Sequence, residues 1–309
     1  MNDALSAKIE EWSKPPFDEE TRAQLNLLKQ NPEQLDDAFY KDLEFGTGGM
    51  RGIMGIGTNR INAYTLGKST QGLCDYLKSA FSKIPIKVVI AYDCRNNSKS
   101  LAVKVAEIFS ANNIKVFIFS DLRTTPELSF AVKYLEAHSG IVLTASHNPP
   151  EYNGYKVYWK DGGQIVPPQD NEIIEQINNT RFSDIKFNAK KELIEWIDQE
   201  LDQAFFDKSV QLGKFEQDGR ENFKIVFTPL HGTSITAVPQ VLAQAGYTDV
   251  HLVKAQSSPN GNFPTVESPN PEEPEALKMA LDQAYAIGAD MVVGTGMGSD
   301  SSAGTDMVS

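Results

Sequence analysis

From Lys87 onward the chain alternates short apolar runs with longer stretches whose apolar residues recur every three or four positions. KVVIAYD (87–93), KVFIFSD (115–121) and GIVLTAS (140–146) are continuous apolar runs of strand length, of the kind a parallel sheet buries on both faces. Between them, 99–112 carries Leu101, Val105, Ile108 and Phe109 along one side, and 125–137 reads as a further helix. An earlier helix lines up Leu66, Leu73, Leu77 and Phe81 on one face. Strands alternating with helices of this length predict βαβ units: an α/β fold with a mostly parallel sheet sandwiched by helices.

The flanks differ in texture. Residues 1–43 are polar and helical in pattern, with Asn31-Pro32-Glu33 as a helix start, Asn as cap and Pro in the first turn. They predict a helical extension packed on the body. After Pro149, GYKVYWKDGGQIV reads as a hairpin turning at Asp161-Gly162-Gly163, followed by helical segments at 169–179 and about 190–212. A second alternating run opens at 223: FKIVFTP, a helix over 234–245, VHLVKA, a proline-rich loop at 257–274, a helix over 274–286, and the strand ADMVVGT (289–295). No repeat shows residue by residue, although the halves share this strand–helix grammar. The expected units are an extension at 1–43, a first domain at 44–205, part of a second at 206–295, and a low-complexity, unstructured or non-native tail at 296–309.

Composition narrows the function classes. Forty per cent apolar and 23% charged residues are ordinary for a soluble globular protein. A net charge of −12 argues against nucleic acid as a partner, since no basic face is implied. It leaves small anions open, because a few cations and backbone N–H groups suffice for a phosphate. Two cysteines, Cys74 and Cys94, make no disulfide or zinc framework and point to a reducing cytoplasm. No apolar run nears the roughly 18 residues of a membrane span, so no membrane partner is expected.

The chemistry concentrates at Thr144-Ala145-Ser146-His147-Asn148-Pro149, directly after a strand. Ligands of parallel sheets bind beyond the carboxyl ends of the strands, and a serine on a turn fixed by Asn-Pro offers its hydroxyl there. Asn153-Gly154-Tyr155-Lys156 follows and returns a lysine to the same mouth. A second element, Phe45-Gly46-Thr47-Gly48-Gly49-Met50-Arg51-Gly52, combines backbone N–H groups freed by glycine with a forked cation suited to phosphate. A serine-hydrolase reading fails for want of a G-x-S-x-G elbow. A dinucleotide reading of VVGTGMG fails for want of G-x-G-x-x-G spacing, a following helix and a downstream acid.

TASHNP with its downstream NGxK resembles the phosphoserine loop of the α-D-phosphohexomutases, the phosphoglucomutases and phosphomannomutases, in the bacterial branch similar to phosphoglucomutase-2 and phosphopentomutase. FGTGGMRG is similar to that family's FGTSGLRG element. Tyr92-Asp93-Cys94-Arg95, Thr228-Pro229-Leu230-His231-Gly232 and Pro269-Asn270-Pro271-Glu272 resemble further blocks, each nonspecific alone. The resemblance covers about 40–295 and implies the first domain and most of the second of a four-domain architecture. It implies a catalytic set of Ser146, Lys156, Arg51 and His147, with Thr47, Gly48, Asn148 and Asn153 binding substrate or phosphate. It also implies an isomerase interconverting hexose 1-phosphate and hexose 6-phosphate through a phosphoserine, with hexose 1,6-bisphosphate as intermediate and activator. A non-catalytic sugar-phosphate-binding fragment and a phosphopentomutase are the alternatives. Asp93 and Arg95 are expected to form a structural ion pair near the site. His231 and Glu272 stand open between loop architecture and active-site contact.

The resemblance stops at Thr295. In the family a D-x-D-x-D-R loop follows that strand and binds Mg²⁺ beside the phosphoserine. Here the chain reads GMGSDSSAGTDMVS, where Asp300 and Asp306 lack the spacing and no arginine follows. Mg²⁺ is therefore expected at Ser146 only through its phosphate, with the aspartate ligands missing. The expectation is a truncated form, folded over most of its length, whose own turnover is in doubt.

Overall fold

The computed structural model describes residues 3–213, 219–296 and 302–306. Three helices open the chain: α1 (Asp3–Trp12), α2 (Glu19–Leu28) and α3 (Pro32–Phe39). As the sequence predicts, Asn31 caps α3, its side chain accepting from Gln34 N at 3.2 Å. This extension is bound to the body by aromatic packing. Trp12 is fully buried, stacks on Phe17 at 4.4 Å between ring centroids, and meets Phe39, Tyr64 and Phe182 edge-on. Burying rings of this size contributes roughly 2–3 kcal/mol each.

The first sheet takes strands β1 (Gly49–Ile53), β2 (Lys87–Tyr92), β3 (Lys115–Phe119), β4 (Ser139–Leu143), β5 (Tyr152–Trp159) and β6 (Ile194–Ile197). Their order is β1-β5-β4-β2-β3-β6, parallel from β4 to β6 and antiparallel where β5 joins β4 and β1. Helices α4 (Ala63–Ala80), α5 (Ser98–Ala111), α6 (Thr125–Tyr134) and α7 (Gln169–Asn179) cover the faces. The continuous apolar runs read from the sequence become β2, β3 and β4, whose Val88, Ile90, Ile118, Ile141 and Leu143 form the centre of the core.

Helix α8 (Gln199–Leu212) packs on both α6 and α9 (Val238–Gln244), joining the two sheets; the expected boundary at 205/206 falls inside it. The second sheet has the order β10-β9-β7-β8, from β7 (Ile225–Thr228), β8 (Val250–Leu252), β9 (Met291–Thr295) and β10 (Ser302–Asp306), backed by α10 (Pro274–Ile287).

One strand went unread and three expectations need correction. The glycine-rich stretch contains a strand, β1, whose glycines hide the alternation of buried Met50 and Gly52 with exposed Arg51. The hairpin turns at Asp161–Gly163 as expected, with Trp159 N donating to Gly163 O at 2.8 Å, but its return arm is no strand. The edges of β5 are already taken by β4 and β1, leaving room only for a single bridge between Tyr158 and Gln164. The helix expected from about 190 begins at Gln199; Ile194 and Ile197 instead pair β6 with the open edge of β3. Finally, part of the tail is ordered: Ser302–Asp306 runs antiparallel to β9 and completes the pairing of its second edge. Asp300 lies outside the described residues.

Candidate functional site

At the carboxyl end of β4 the chain turns sharply. Ser146 has φ of 55°, a left-handed conformation that costs a residue with a Cβ on the order of 1 kcal/mol. Its surroundings hold it there. The Thr144 hydroxyl accepts from Ser146 N at 3.0 Å and donates to the buried Asp93 carboxylate. Asn148 N closes the turn on Ala145 O at 3.1 Å. Across the loop lies Arg95, whose guanidinium is fully buried. Nη2 donates to the carbonyls of Ser146 at 2.9 Å and Asn148 at 2.6 Å, and Nη1 to those of Pro149 at 2.8 Å and Tyr152 at 2.9 Å. The expected Asp93–Arg95 pair is present at 3.5 Å, with both side chains buried. His147 is exposed, and its Nδ1 stands 3.5 Å from Ser146 Oγ, at the outer limit of a hydrogen bond.

The β1–β5 ladder supplies the cations. Arg51 pairs with Gly154 and Lys156 with Gly49, so both side chains leave the same face and each faces a residue without one. With Thr47, Gly48, Thr144 and Ala145 they line a cleft of about 220 Å³ beside the serine turn. Arg51 Nη1 also donates to Asn148 Oδ1 at 3.3 Å, tying the ladder to the turn. Within a chain of net charge −12, this cleft is a local positive site with backbone dipoles around it.

Ser146, Arg51, Lys156, Thr47, Gly48, His147 and Asn148 are thus gathered at one mouth; Asn153 is not. It is fully buried, its amide donating to Asn96 O and Ser98 Oγ while its Oδ1 accepts from Gly154 N at 2.8 Å. That side chain is spent on fixing the backbone. The Thr47 hydroxyl is engaged with Asp170 at 3.0 Å, and the Gly48 carbonyl accepts from Val157 N and Gln164 Nε2, so Gly48 is held as a bend against β5.

A matching turn ends β7. Thr228 Oγ1 accepts from Leu230 N at 3.2 Å, and Leu230 and His231 have φ of 47° and 61°. Thr228-Pro229-Leu230-His231 thus repeats two features of Thr144-Ala145-Ser146-His147, the threonine hydroxyl accepting from the residue two on and a left-handed third residue, with an apolar side chain in place of the serine and a left-handed His231 that has no counterpart at His147. The shared Thr-x-x-His spacing was the available signal for this repeat. His231 is buried and serves the loop. Its Nδ1 stands 3.0 Å from Ser258 O, which requires the proton there, and Nε2 stands 2.9 Å from Thr265 Oγ1. Cys94 donates its Sγ hydrogen to His231 O at 3.0 Å, and burial pushes that thiol up to about 12. Glu272 is exposed, its backbone N–H bound to Asn270 Oδ1 at the entry to α10.

Among the described residues no three His, Cys, Asp or Glu side chains come together as a metal site. The carboxylate beside the serine turn, Asp93, is buried and paired with Arg95, and the groups lining the cleft are cationic or neutral, so the described residues do not by themselves fit Mg²⁺. No helix among them is long and apolar enough to cross a membrane.

Residues 42–184 match the family model for phosphoglucomutase/phosphomannomutase α/β/α domain I, and 203–303 match that for domain II. A phosphoglucomutase of Staphylococcus haemolyticus (strain JCSC1435) is 37% identical over 266 residues, 84% of this chain and 48% of that protein. A probable phosphoribomutase of Schizosaccharomyces pombe is 35% identical over 310 residues, 96% of this chain and 52% of that protein. The chain therefore spans about half the length of the curated relatives it matches. A putative phosphomannomutase structure from Thermus thermophilus shares the fold, with a TM-score of 0.72 and 24% identity over 86% of this chain and 57% of that one. With two successive domain models matched in order, the chain belongs to the phosphoglucomutase/phosphomannomutase family, the α-D-phosphohexomutases.

Proposed function

We propose that this chain carries the phosphoserine end of a mutase that interconverts hexose 1-phosphate and hexose 6-phosphate, with Ser146 as the phosphoryl carrier. The observation that supports it most is the juxtaposition of a strained serine turn with a cleft holding Arg51 and Lys156. A phosphoserine brings about −1.5 to −2 charges, and these two cations answer it. In the transfer, the phosphorus–Oγ bond of phosphorylated Ser146 breaks as a bond to a sugar hydroxyl forms. The hydroxyl proton passes through Lys156 to the serine oxygen. The bisphosphate turns over, and the reverse step returns its other phosphate to Ser146. Arg51 neutralises charge on the moving group, as phosphoryl transfer demands; His147 steadies the turn, Asn148 orients Arg51, and Thr47 and Gly48 border the phosphate. The Mg²⁺ expected from the resemblance enters no step here, since the described residues supply no ligand set for it.

The kinship with a probable phosphoribomutase over 96% of this chain favours pentose phosphates as a second reading. The test of both is a coupled assay on the protein expressed in full from its coding sequence, with glucose 1-phosphate, mannose 1-phosphate and ribose 1-phosphate each plus a trace of the matching bisphosphate. Conversion of a hexose phosphate that falls about 10³-fold or more in Ser146→Ala supports the proposal. Preference for ribose 1-phosphate supports the second reading, and unchanged turnover in Ser146→Ala contradicts both.

A further inference from the structure

A loop of the second sheet is packed onto the residue that grips the serine turn. Gly261 lies so close to the backbone after β2 that a Cβ there would sit 2.7 Å from Asn96 N and 2.9 Å from Cys94 O. Beside it, Asn96 Nδ2 donates to Asn262 Oδ1 at 2.9 Å, and the buried Phe263 ring lies under the Arg95 guanidinium at 5.7 Å. The same guanidinium holds the carbonyls of Ser146, Asn148, Pro149 and Tyr152.

The loop has its own buried scaffold, which runs in one hydrogen-bond direction. Thr228 Oγ1 donates to Gln256 Oε1 at 2.6 Å, and Gln256 Nε2 donates to Thr265 Oγ1 at 3.1 Å. The Thr265 hydroxyl hydrogen is then left for His231 Nε2, and His231 Nδ1–H goes to Ser258 O. Each donor in this series meets one acceptor, so residues 256–265 form a fixed block whose tip reaches Arg95.

We propose that Arg95 is a positioning residue for phosphoryl transfer at Ser146, and that the Gly261–Phe263 tip of the second sheet's loop holds Arg95 in its grip on the serine turn. The inference rests on the reading of Ser146 as phosphoryl carrier. Arg95 holds the turn by its backbone carbonyls, so its effect is on where Ser146 Oγ points. A planar fork is needed because the bound carbonyls converge from four residues, which an ammonium group cannot span.

The experiment uses the protein expressed in full, as wild type, Arg95→Lys and Gly261→Ala. The last variant leaves Arg95 in place and forces the tip away from it. Three readouts are taken: the rate of Ser146 phosphorylation by glucose 1,6-bisphosphate followed by peptide mass spectrometry, the concentration of bisphosphate giving half that rate, and amide exchange over 146–152. Arg95→Lys should slow phosphorylation about 10²-fold, the effect of roughly 1 Å of misplacement, with the half-saturating concentration changed less than about threefold. Gly261→Ala, which leaves Arg95 in place, should slow it about tenfold through a smaller displacement of the same turn. Both should speed exchange across 146–152 by about tenfold without speeding it in β3, as a local opening does. Wild-type phosphorylation with equal rates and equal loop exchange in the variants overturns the proposal alone. Wild-type phosphate found on a residue other than Ser146 overturns the underlying reading, and the proposal falls with it.

Discussion

Arg51 faces Gly154 across the β1–β5 ladder, and that absence of an opposing side chain leaves the Arg51 fork open to the cleft. The relationship separates what the two residues do. Arg51 is exposed and contributes charge; Gly154 is buried and allows the strands and the serine turn to close on one another. Arg51→Lys keeps a cation but loses the fork, and Lys156→Met keeps much of the stem but loses the ammonium. Each should lower turnover of the full protein about 10²-fold or more, the range of a positioned charge-stabilising or acid–base group. Neither should move the midpoint of thermal unfolding by more than a few degrees. A large loss of stability with near-normal turnover would assign them to structure.

Gly154→Ala should do the opposite. A Cβ there would stand 2.5 Å from Thr144 O and 2.8 Å from Met50 O, both backbone atoms with little freedom to move. Overpacking of this kind costs roughly 1–3 kcal/mol, measurable as a lower denaturant midpoint with an unchanged slope. A midpoint equal to that of the wild type would show that the ladder yields more easily than its geometry implies.

Trp12→Ala tests whether the helical extension is integral. The indole is fully buried among Phe17, Phe39, Tyr64 and Phe182. Its loss should cost about 3–5 kcal/mol and open 3–39 to proteolysis ahead of the sheets. Loss of less than about 1 kcal/mol, well under that range, would mean that the extension is only loosely seated.

A pH dependence follows from Glu127, on α6. Its carboxyl is fully buried, and the Arg123 fork beside it is committed to Asp202 on α8 at 2.8 and 2.7 Å, leaving Arg123 Nε 3.9 Å from Glu127. Burial, reinforced by the Asp202 charge, pushes Glu127 up to about 8. A raised carboxyl binds its proton more tightly in the folded state than in the unfolded one. Its contribution to stability is therefore whole below the ordinary carboxyl range, near 4.5, and is lost as pH rises toward 8. Glu127→Gln, which mimics the protonated form, should unfold at a higher temperature than wild type at pH 8, with the gap closing toward pH 5. A gap that is constant with pH would contradict the assignment.

The central strands and most helices of both sheets were legible because their hydrophobic periods are unmixed, as in Val88–Ala91 and in the α4 stripe of Leu66, Leu73 and Leu77. Ser146, Arg51 and Lys156 stood out as candidates because their types and spacing fit one chemistry, and the fold brings Arg51 and Lys156 to one cleft beside the serine turn. What escaped depends on partners distant in sequence. β6 exists because β3 has an edge to fill, and β1 because β5 has one, which no local pattern records. Asn153 sits in the same tetrapeptide as Lys156, yet the sheet turns one inward and lines the cleft with the other. Arg95 reads as half of an ion pair from its neighbour Asp93; its grip on a loop some fifty residues away is visible only once the chain is folded.

The destination of the phosphate is the most direct test of Ser146 as carrier. After incubation of the full protein with glucose 1,6-bisphosphate, digestion and peptide mass spectrometry should find one phosphate on the peptide containing Thr144-Ala145-Ser146-His147-Asn148, placed by fragmentation on Ser146 and absent from Ser146→Ala. Phosphate on any other residue, or equal incorporation into Ser146→Ala, would contradict it.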